Sequence, residues 1–163
     1  MKFINLTQGR KAIVDDEEYQ YLNQYKWCAW KSATGNTFYA VRNSPKDVNG
    51  ERKRIWMHRI INETPEGMIT DHVNGDGLDN RTANLRTCTN TDNVRNGRTP
   101  AHNTSGYKGV CFHKKAQKWK AQIQVNGKRI HLGLFTNPER AHRTYIAAAK
   151  KYHGEFIRSY NAI

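Results

Sequence analysis

The chain has 163 residues, enough for one ordinary domain or two small ones. It carries 27 Lys and Arg against 14 Asp and Glu, a formal net charge of +13, which predicts a polyanionic partner such as nucleic acid or an acidic membrane surface. No apolar run approaches the ~20 residues that span a bilayer, and the opening residues turn polar too early for a secretory signal. We therefore expect nucleic acid and no membrane.

The cysteine pattern gives little support for covalent or metal cross-linking. Cys28, Cys88 and Cys111 are far apart, odd in number and without a C-x-x-C pair. Neither a disulfide framework nor a structural zinc site is expected.

Residues 1–61 are predicted to form a small β-rich region with one short helix. The acidic run Asp15–Glu18 predicts that helix, because negative side chains in a first turn complement the helix dipole. Residues 55–61 predict a strand end or a short buried helix. The predicted strands are Phe3–Leu6, Lys11–Val14, Lys26–Trp30 and Thr37–Val41, of which the last two form a hairpin.

Four large side chains in this region are interpreted as structural. Trp27, Trp30 and Trp56 are expected in the core and not as base-stacking residues. His58 precedes an apolar run and is expected to be a hydrogen-bonded structural histidine and not a phosphate contact.

The centre of the chain places a carboxylate beside an imidazole. A short strand carries Asp71 and His72, a loop rich in Gly, Asn and Asp follows, and Asn84–Arg86 begins a second strand. A polar segment from Thr89 or Asn90 predicts a helix with Asn93 on its first turns. Because adjacent strand residues point to opposite faces, Asp71 and His72 serve one site only if the strand ends or bends there.

This combination suits phosphodiester hydrolysis, which needs a base, a hard cation and fixed geometry. Asp71 and Asn93 offer oxygen ligands, which favour Mg²⁺ or Mn²⁺ over Zn²⁺. The nearby Asn74, Asp76, Asp79 and Asn80 are explained as turn-forming residues.

The segment from Asp71 to Asn93 reads D-H-x-N-G-x-G-x-D-N-R-x-x-N-L-R-x-x-T-x-x-x-N. It resembles the HNH endonucleases of phages and group I introns, in the subgroup whose last histidine is an asparagine. The resemblance implies a ββα-metal fold with His72 as general base. It implies that Asn84 holds the loop and orients His72, and that Asp71 and Asn93 bind one divalent metal.

Residues 94–105 are predicted to form a basic linker. The segment lacks anchoring apolar residues and contains Arg95 and Arg98, which are candidate DNA contacts. An extended connector along a groove and a merely flexible linker fit it equally well.

Residues 104–163 carry 12 of the basic side chains and two of the acidic ones, a net charge of +10. Gly109–Phe112, Lys118–Val125 and Arg129–Phe135 predict three strands, and Asn126–Gly127 is typical of a type I′ hairpin turn. A helix is predicted over 138–152.

The pattern of the middle strand separates an apolar from a polar sheet face. Trp119, Ala121, Ile123 and Val125 share one face, on which the helix is expected to pack through Ala141, Tyr145, Ala148, Ala149 and Tyr152. The opposite face carries Lys and Gln side chains and has a suitable width for a major groove.

This region resembles the AP2 domain of plant transcription factors, which also occurs in phage and mobile nucleases. The resemblance rests on Tyr107–Val110, Lys118–Trp119, Leu132–Gly133 with Phe135, the Ala-rich helix and His153–Gly154. It implies DNA contacts from Lys108, Lys115, Gln122, Gln124, Arg129 and His131. Plant base specificity does not transfer, because Cys111, Lys115, Gln124 and His131 stand where the plant proteins have Arg or Trp.

The sequence thus predicts an α+β protein with three parts. These are a nuclease domain over 1–103 with its ββα-metal core at about 55–97, the linker, and a DNA-binding domain over 104–163 whose three-stranded antiparallel sheet packs on one helix. We expect a Mg²⁺- or Mn²⁺-dependent, homing-type endonuclease that nicks double-stranded DNA as a monomer. Its expected location is the cytoplasm of a bacterial cell that hosts a phage or mobile element.

Two other functions compete with this hypothesis. A non-catalytic DNA-binding regulator with a decayed nuclease core is the chief alternative. An RNA-binding module has only the net charge behind it, since the chain lacks the RNP aromatic pattern and the KH loop.

Overall fold

The computed structural model describes residues 1–33, 37–97, 99 and 103–154. The chain divides into two compact units, residues 1–93 and 94–163. The predicted α+β class is confirmed, with small antiparallel sheets throughout and a C-terminal sheet packed on a helix. Within the described residues, no helix has the length and apolarity to cross a membrane.

The described residues of the first unit form three small antiparallel sheets and two short α-helices, and a third α-helix begins at the end of the unit. One sheet pairs β1 with β2, another has the order β3–β4–β5, and the third pairs β6 with β7. The elements are β1 Lys2–Asn5, β2 Lys11–Val14, α1 Asp16–Leu22, β3 Cys28–Lys31, β4 Phe38–Asn43, β5 Arg54–Trp56, α2 Met57–Ile61, β6 Ile69–His72, β7 Leu85–Cys88 and α3 Asn90–Asn96. The predicted strands, the short helix and the β6–β7–α3 order are confirmed, while the hairpin turn at 34–36 lies outside the described residues.

The core of this unit buries Ile4, Val14, Leu22 and Met57. Trp27 joins it as predicted, and its indole N–H donates to the Leu22 carbonyl at 2.8 Å. The prediction of core positions is wrong for Trp30 and Trp56, which are half-buried outside this cluster.

The loop after β6 is bonded to the N-terminal hairpin. Ile13 N–H donates to the Leu78 carbonyl, and Asn80 N–H donates to the Ile13 carbonyl, both at 2.8 Å. Gly77 lets the same loop approach β4 closely, because a Cβ there would overlap the Phe38 carbonyl oxygen and the Tyr39 ring. The hairpin therefore fixes the loop that follows Asp71 and His72.

The second unit is a sheet in the order β10–β9–β8, covered by one helix. Its elements are β8 Val110–His113, β9 Lys118–Val125, β10 Lys128–Phe135 and α4 Pro138–His153. Asn126 and Gly127 both have positive φ, of 49° and 77°, as the predicted type I′ turn requires.

The helix packs as expected except at its end. Ala141, Tyr145 and Ala149 are buried, but Tyr152 is 41% exposed and was wrongly expected on this face. A second correction concerns the predicted linker: residues 94–96 are not extended but form the last turn of α3.

Candidate functional site

Asp71 and His72 lie together at the end of β6. In the β6–β7 register Asp71 is opposite Arg86 and His72 is opposite Leu85. The strand ends at His72, whose carbonyl accepts from Gly75 N–H at 2.8 Å. Both side chains are buried, so the strand end that the sequence argument required is present.

The Asp71 carboxylate is paired with Arg86. Arg86 Nη2 and Nε donate to Asp71 Oδ2 at 2.7 and 2.9 Å. The Arg86 side chain is 15% exposed, so this ion pair is well shielded from water. Sequence reasoning missed Arg86. Its position directly across the antiparallel pair was the available clue, since opposite charges on paired residues attract.

The amide of Asn80 faces the His72 imidazole. Asn80 is 0% exposed, and its Oδ1 lies 3.5 Å from His72 Nε2. Asn80 Nδ2 donates to the Leu78 carbonyl at 3.2 Å, and this bond determines which amide atom points at the ring. Because an amide oxygen only accepts, a hydrogen bond between these two atoms requires the His72 tautomer that carries its proton on Nε2. Asn80, which the sequence explains as a turn residue, therefore also contacts the His72 imidazole.

Asn84 holds the loop, as the resemblance implied. Its Nδ2 donates to the Asp79 carbonyl at 2.7 Å and to Asn74 Oδ1 at 3.1 Å, while its Oδ1 accepts from Asn74 N–H at 3.0 Å. Both amide hydrogens are thus used within the loop. The orienting contact to His72, which the resemblance assigned to Asn84, comes in this geometry from Asn80.

Asp79 is a structural residue of the same loop. It accepts from Arg81 Nη2 at 2.6 Å and from Asn74 Nδ2 at 2.9 Å. Hydrogen bonds from Arg81 lower the pKa of its carboxyl. These bonds keep Asp79 ionised and agree with its assignment to the turn.

His58 lies against His72 in an aromatic environment. The two imidazoles meet edge to face at a centroid distance of 5.1 Å, and Tyr39 and Trp56 are each 5.6 Å from His58. Burial, more than the neighbouring His72 and Arg59, lowers the pKa of His58 to about 3. The sequence predicts a hydrogen-bonded His58, but its Nδ1 atom is buried and has no hydrogen-bond partner among the described residues.

Burial also lowers the pKa of His72, against the opposing effects of the Asn80 hydrogen bond and of Asp71, Asp76 and Asp79. A lowered pKa keeps the imidazole neutral at physiological pH. Neutral imidazole is the form that accepts a proton from water.

Asp71 and Asn93, which the resemblance assigns to a metal, carry oxygen donors, and such donors suit a hard cation better than zinc. Asn93 is half-buried near the start of α3, where its N–H donates to the Thr89 carbonyl at 3.0 Å. Asp71 and Asn93 offer oxygen atoms, and Mg²⁺ typically takes one or two carboxylates and fills its other positions with water and phosphate. Among the described residues, no group of three or more His, Cys, Asp or Glu side chains is placed to hold a metal ion.

Four predicted DNA contacts share one face of the C-terminal sheet. Gln122 is paired with His131, and Gln124 is paired with Arg129. Ala121 and Ile123, on the opposite face, are buried. The polar face thus carries two cross-strand pairs of hydrogen-bonding side chains.

Lys108, Lys115 and Arg95, which are also predicted to contact DNA, lie outside the strands of this sheet. The Lys108 ammonium donates to the carbonyls of Arg95 and Gly97 at 2.6 Å each, at the C-terminal end of α3. Lys115 is exposed in the 3₁₀ turn between β8 and β9, and Arg95 is in the last turn of α3. Arg98 lies outside the described residues. Lys108 and Lys115 therefore lie outside the strands of the sheet, and their contacts with DNA stay predictions.

Two family models match the chain in separate places. Residues 56–95 match the HNH endonuclease family and residues 105–155 match the AP2 domain. The first match contains Asp71, His72, Asn84 and Asn93, and the second contains the polar sheet face and α4. The chain is thus similar to the HNH endonuclease family in one segment and to the AP2 domain in another.

The relatives are mainly viral and plant proteins. An uncharacterised HNH endonuclease of Acanthamoeba polyphaga mimivirus is 24% identical over 155 residues, 91% of this chain and 74% of that protein. Protein 3.8 of Escherichia phage T7 is 35% identical over 65 residues, 40% of this chain and 54% of that protein. An AP2-like ethylene-responsive transcription factor of Arabidopsis thaliana is 37% identical over 57 residues, 35% of this chain and 12% of that factor.

The chain thus spans about half the length of the phage protein and a small part of the plant factor. No solved structure matches it significantly.

Proposed function

We propose that this chain is a divalent-metal-dependent endonuclease that hydrolyses phosphodiester bonds in double-stranded DNA. The observation that carries the proposal is the buried, neutral His72 at the end of β6, beside Asp71 and faced by Asn80. Phosphodiester hydrolysis needs a base, an oxygen ligand for a cation and a group that positions the base, all within one site.

His72 supplies the base. With Nε2 donating to Asn80 Oδ1, the lone pair that accepts a proton from the attacking water is on Nδ1. Asp71 and Asn93 would hold Mg²⁺ or Mn²⁺, which when bound stabilises charge on the phosphate and the leaving oxygen. Hydrogen bonds from Arg86 orient the Asp71 carboxylate before any cation is present.

The AP2-like domain anchors the protein on the duplex. Residues 104–163 hold +10 of the +13 net charge, and phosphate neutralisation by such side chains supplies most non-specific DNA affinity. The Gln122, Gln124, Arg129 and His131 face adds donors and acceptors that can contact base edges in a major groove.

Nicking is the proposed outcome, because one HNH segment provides one base and one metal site for one phosphodiester. A protein that acts as a monomer leaves the second strand intact unless it binds again in the reverse orientation. A phage or mobile-element origin and action in the cytoplasm of the host cell are part of the same proposal.

One observation favours the alternative, a DNA-binding regulator without catalysis. The carboxylate of Asp71 is already bonded to Arg86, as a decayed site that replaced its cation with an arginine would be. The intact His72, Asn84 and Asn93 favour the enzyme, since loss of function removes the selection that keeps such residues.

A cleavage assay on a labelled duplex, carried out with the full chain, distinguishes the nuclease from the non-catalytic regulator. We expect products with Mg²⁺ or Mn²⁺, none with EDTA, and none from Asp71→Ala, while all of these samples retain binding in a gel shift. Binding of every sample without cleavage by any would establish the regulator. Recovery with Zn²⁺ alone would overturn the oxygen-ligand assignment.

A further inference from the structure

The sheet β3–β4–β5 has one face toward the core and one face rich in aromatic rings. Ala29 and Ala40 are paired and buried in the core. Since side chains alternate along a strand, Trp30 and its partner Tyr39 lie on the opposite face. Trp56 is paired with Val41 and shares it. We call Trp30, Tyr39 and Trp56 the aromatic face.

The aromatic face leads directly to the candidate base. The Trp30 and Trp56 rings meet edge to face at 5.2 Å, and Tyr39 lies 5.8 Å from Trp56. Tyr39 is also 5.8 Å from the imidazole of His72. All three rings are half-buried. A partly exposed aromatic surface therefore borders the site at which a phosphate would be attacked.

Arg54 adds a positive charge to this surface. It begins β5 opposite Asn43, and its guanidinium lies 5.0 Å from the Trp30 ring and 5.8 Å from the Trp56 ring. The side chain is exposed and follows Arg52 and Lys53. A guanidinium held over indole rings keeps its N–H donors available for a phosphate oxygen.

We propose that the aromatic face and Arg54 bind the DNA strand that enters the active site. Arg54 pairs with a backbone phosphate, and Trp30 and Trp56 pack against a neighbouring deoxyribose or base. Aromatic rings beside a cation are the recurring means of holding a nucleic-acid strand without sequence preference. This inference rests on the proposed function, because it assigns to this face the substrate of the same site.

The chain contains a reporter for the proposed contact. Cys28 is exposed and paired with Val41, which places it on the aromatic face. Cys88 is buried, and Cys111 is in the C-terminal sheet. In a Cys111→Ala background, the rate of iodoacetamide labelling at Cys28 is measured by mass spectrometry with EDTA present. Duplex binding is followed in the same sample by fluorescence anisotropy.

We expect saturating duplex to slow Cys28 labelling at least fivefold. Full binding with an unchanged labelling rate would overturn the inference, whether or not the wild type cleaves DNA. Protection without cleavage in Mg²⁺ would support the binding face and contradict the nuclease. The two proposals therefore fail separately.

Variants test the contacts one by one. Arg54→Ala is expected to raise KM about tenfold with kcat little changed, and to reduce the slope of log affinity against log salt by about one. Trp30→Leu should raise KM as well. Lys31→Ala, an exposed residue of the same strand outside the face, is the matched control and should change neither quantity. Equal KM values for Arg54→Ala, Lys31→Ala and wild type, at equal thermal stability, would contradict the proposal.

Discussion

The carboxamide oxygen of Asn80 lies 3.5 Å from Nε2 of His72, and both side chains are buried. The Asn80 bond to the Leu78 carbonyl fixes the orientation of the amide. This contact ties the tautomer of the base to a loop residue that is itself bonded to the N-terminal hairpin through Ile13.

Replacing Asn80 by Leu removes the acceptor at similar volume. We expect kcat to fall roughly tenfold with KM unchanged, a part of the ~10²- to 10⁴-fold that a general base contributes. The ¹⁵N shifts of the His72 ring should show a loss of the Nε2–H tautomer. Asn80→Asp keeps an acceptor and should retain that tautomer. A leucine variant with wild-type turnover and tautomer would contradict the role of Asn80.

Removing Arg86 leaves the buried Asp71 carboxylate without its counter-ion. Arg86→Ala should lower the free energy of unfolding by about 3 kcal/mol, as expected when one member of a shielded ion pair is lost. Added Mg²⁺ should restore part of the melting temperature, because the cation can replace the lost charge. Arg81→Ala, which removes a more exposed partner of Asp79, is the control. Equal responses of both variants to Mg²⁺ would argue against a cation at Asp71.

Acid should destabilise the fold through His58. The folded pKa is about 3 against an ordinary value of 6.5, so between these values the unfolded chain binds a proton that the folded chain does not. The free energy of unfolding is therefore highest above pH 6.5 and falls as pH decreases toward 3, with a slope approaching about 1.4 kcal/mol per pH unit.

Denaturant titrations between pH 7 and 4 measure that slope. His58→Gln should reduce the slope of the unfolding free energy against pH. The remaining slope should come from His72, whose pKa is also lowered. His131→Gln, on the exposed face of the other sheet, is the control. A His58 variant with the wild-type slope would show that His58 is not held neutral.

The C-terminal sheet face should dominate DNA affinity. Arg129→Ala removes an exposed charge opposite Gln124, and we expect about one unit less salt dependence and at least a fivefold weaker complex. Lys150→Ala removes an exposed charge on α4, away from that face. Anisotropy titrations at several salt concentrations compare them. Equal losses in the two variants would indicate a diffuse electrostatic contribution and no dedicated face.

Local patterns were sufficient to predict most elements. The alternation of apolar and polar side chains in Lys118–Val125 predicts the two faces of the sheet, and Asn126–Gly127 predicts the hairpin turn. The Asp71–Asn93 motif gave the strand–loop–strand–helix order. These features depend on residues close in sequence, and backbone preferences and side-chain period act at that range.

What could not be predicted depends on register and on long-range contacts. Arg86 meets Asp71 only through the β6–β7 pairing, and Asn80 reaches His72 because Ile13 binds its loop. Large aromatic residues are usually buried, which favours the core for Trp30. Which face of its sheet packs on the core depends on long-range contacts, and the sequence of the strand does not specify them. The bonds of the Lys108 ammonium to the carbonyls of Arg95 and Gly97 depend on where α3 ends, which its own sequence neighbours do not specify.

The central claim is tested most directly by a time course of supercoiled plasmid with Mg²⁺, comparing the wild type with His72→Ala. We expect open circles from the wild type well before linear DNA. The variant should be slower by more than ~10²-fold while retaining duplex affinity, because a base acts on the chemical step. Wild-type turnover by His72→Ala, or intact supercoiled plasmid with the wild type at full occupancy, would contradict a nuclease that uses His72 as its base.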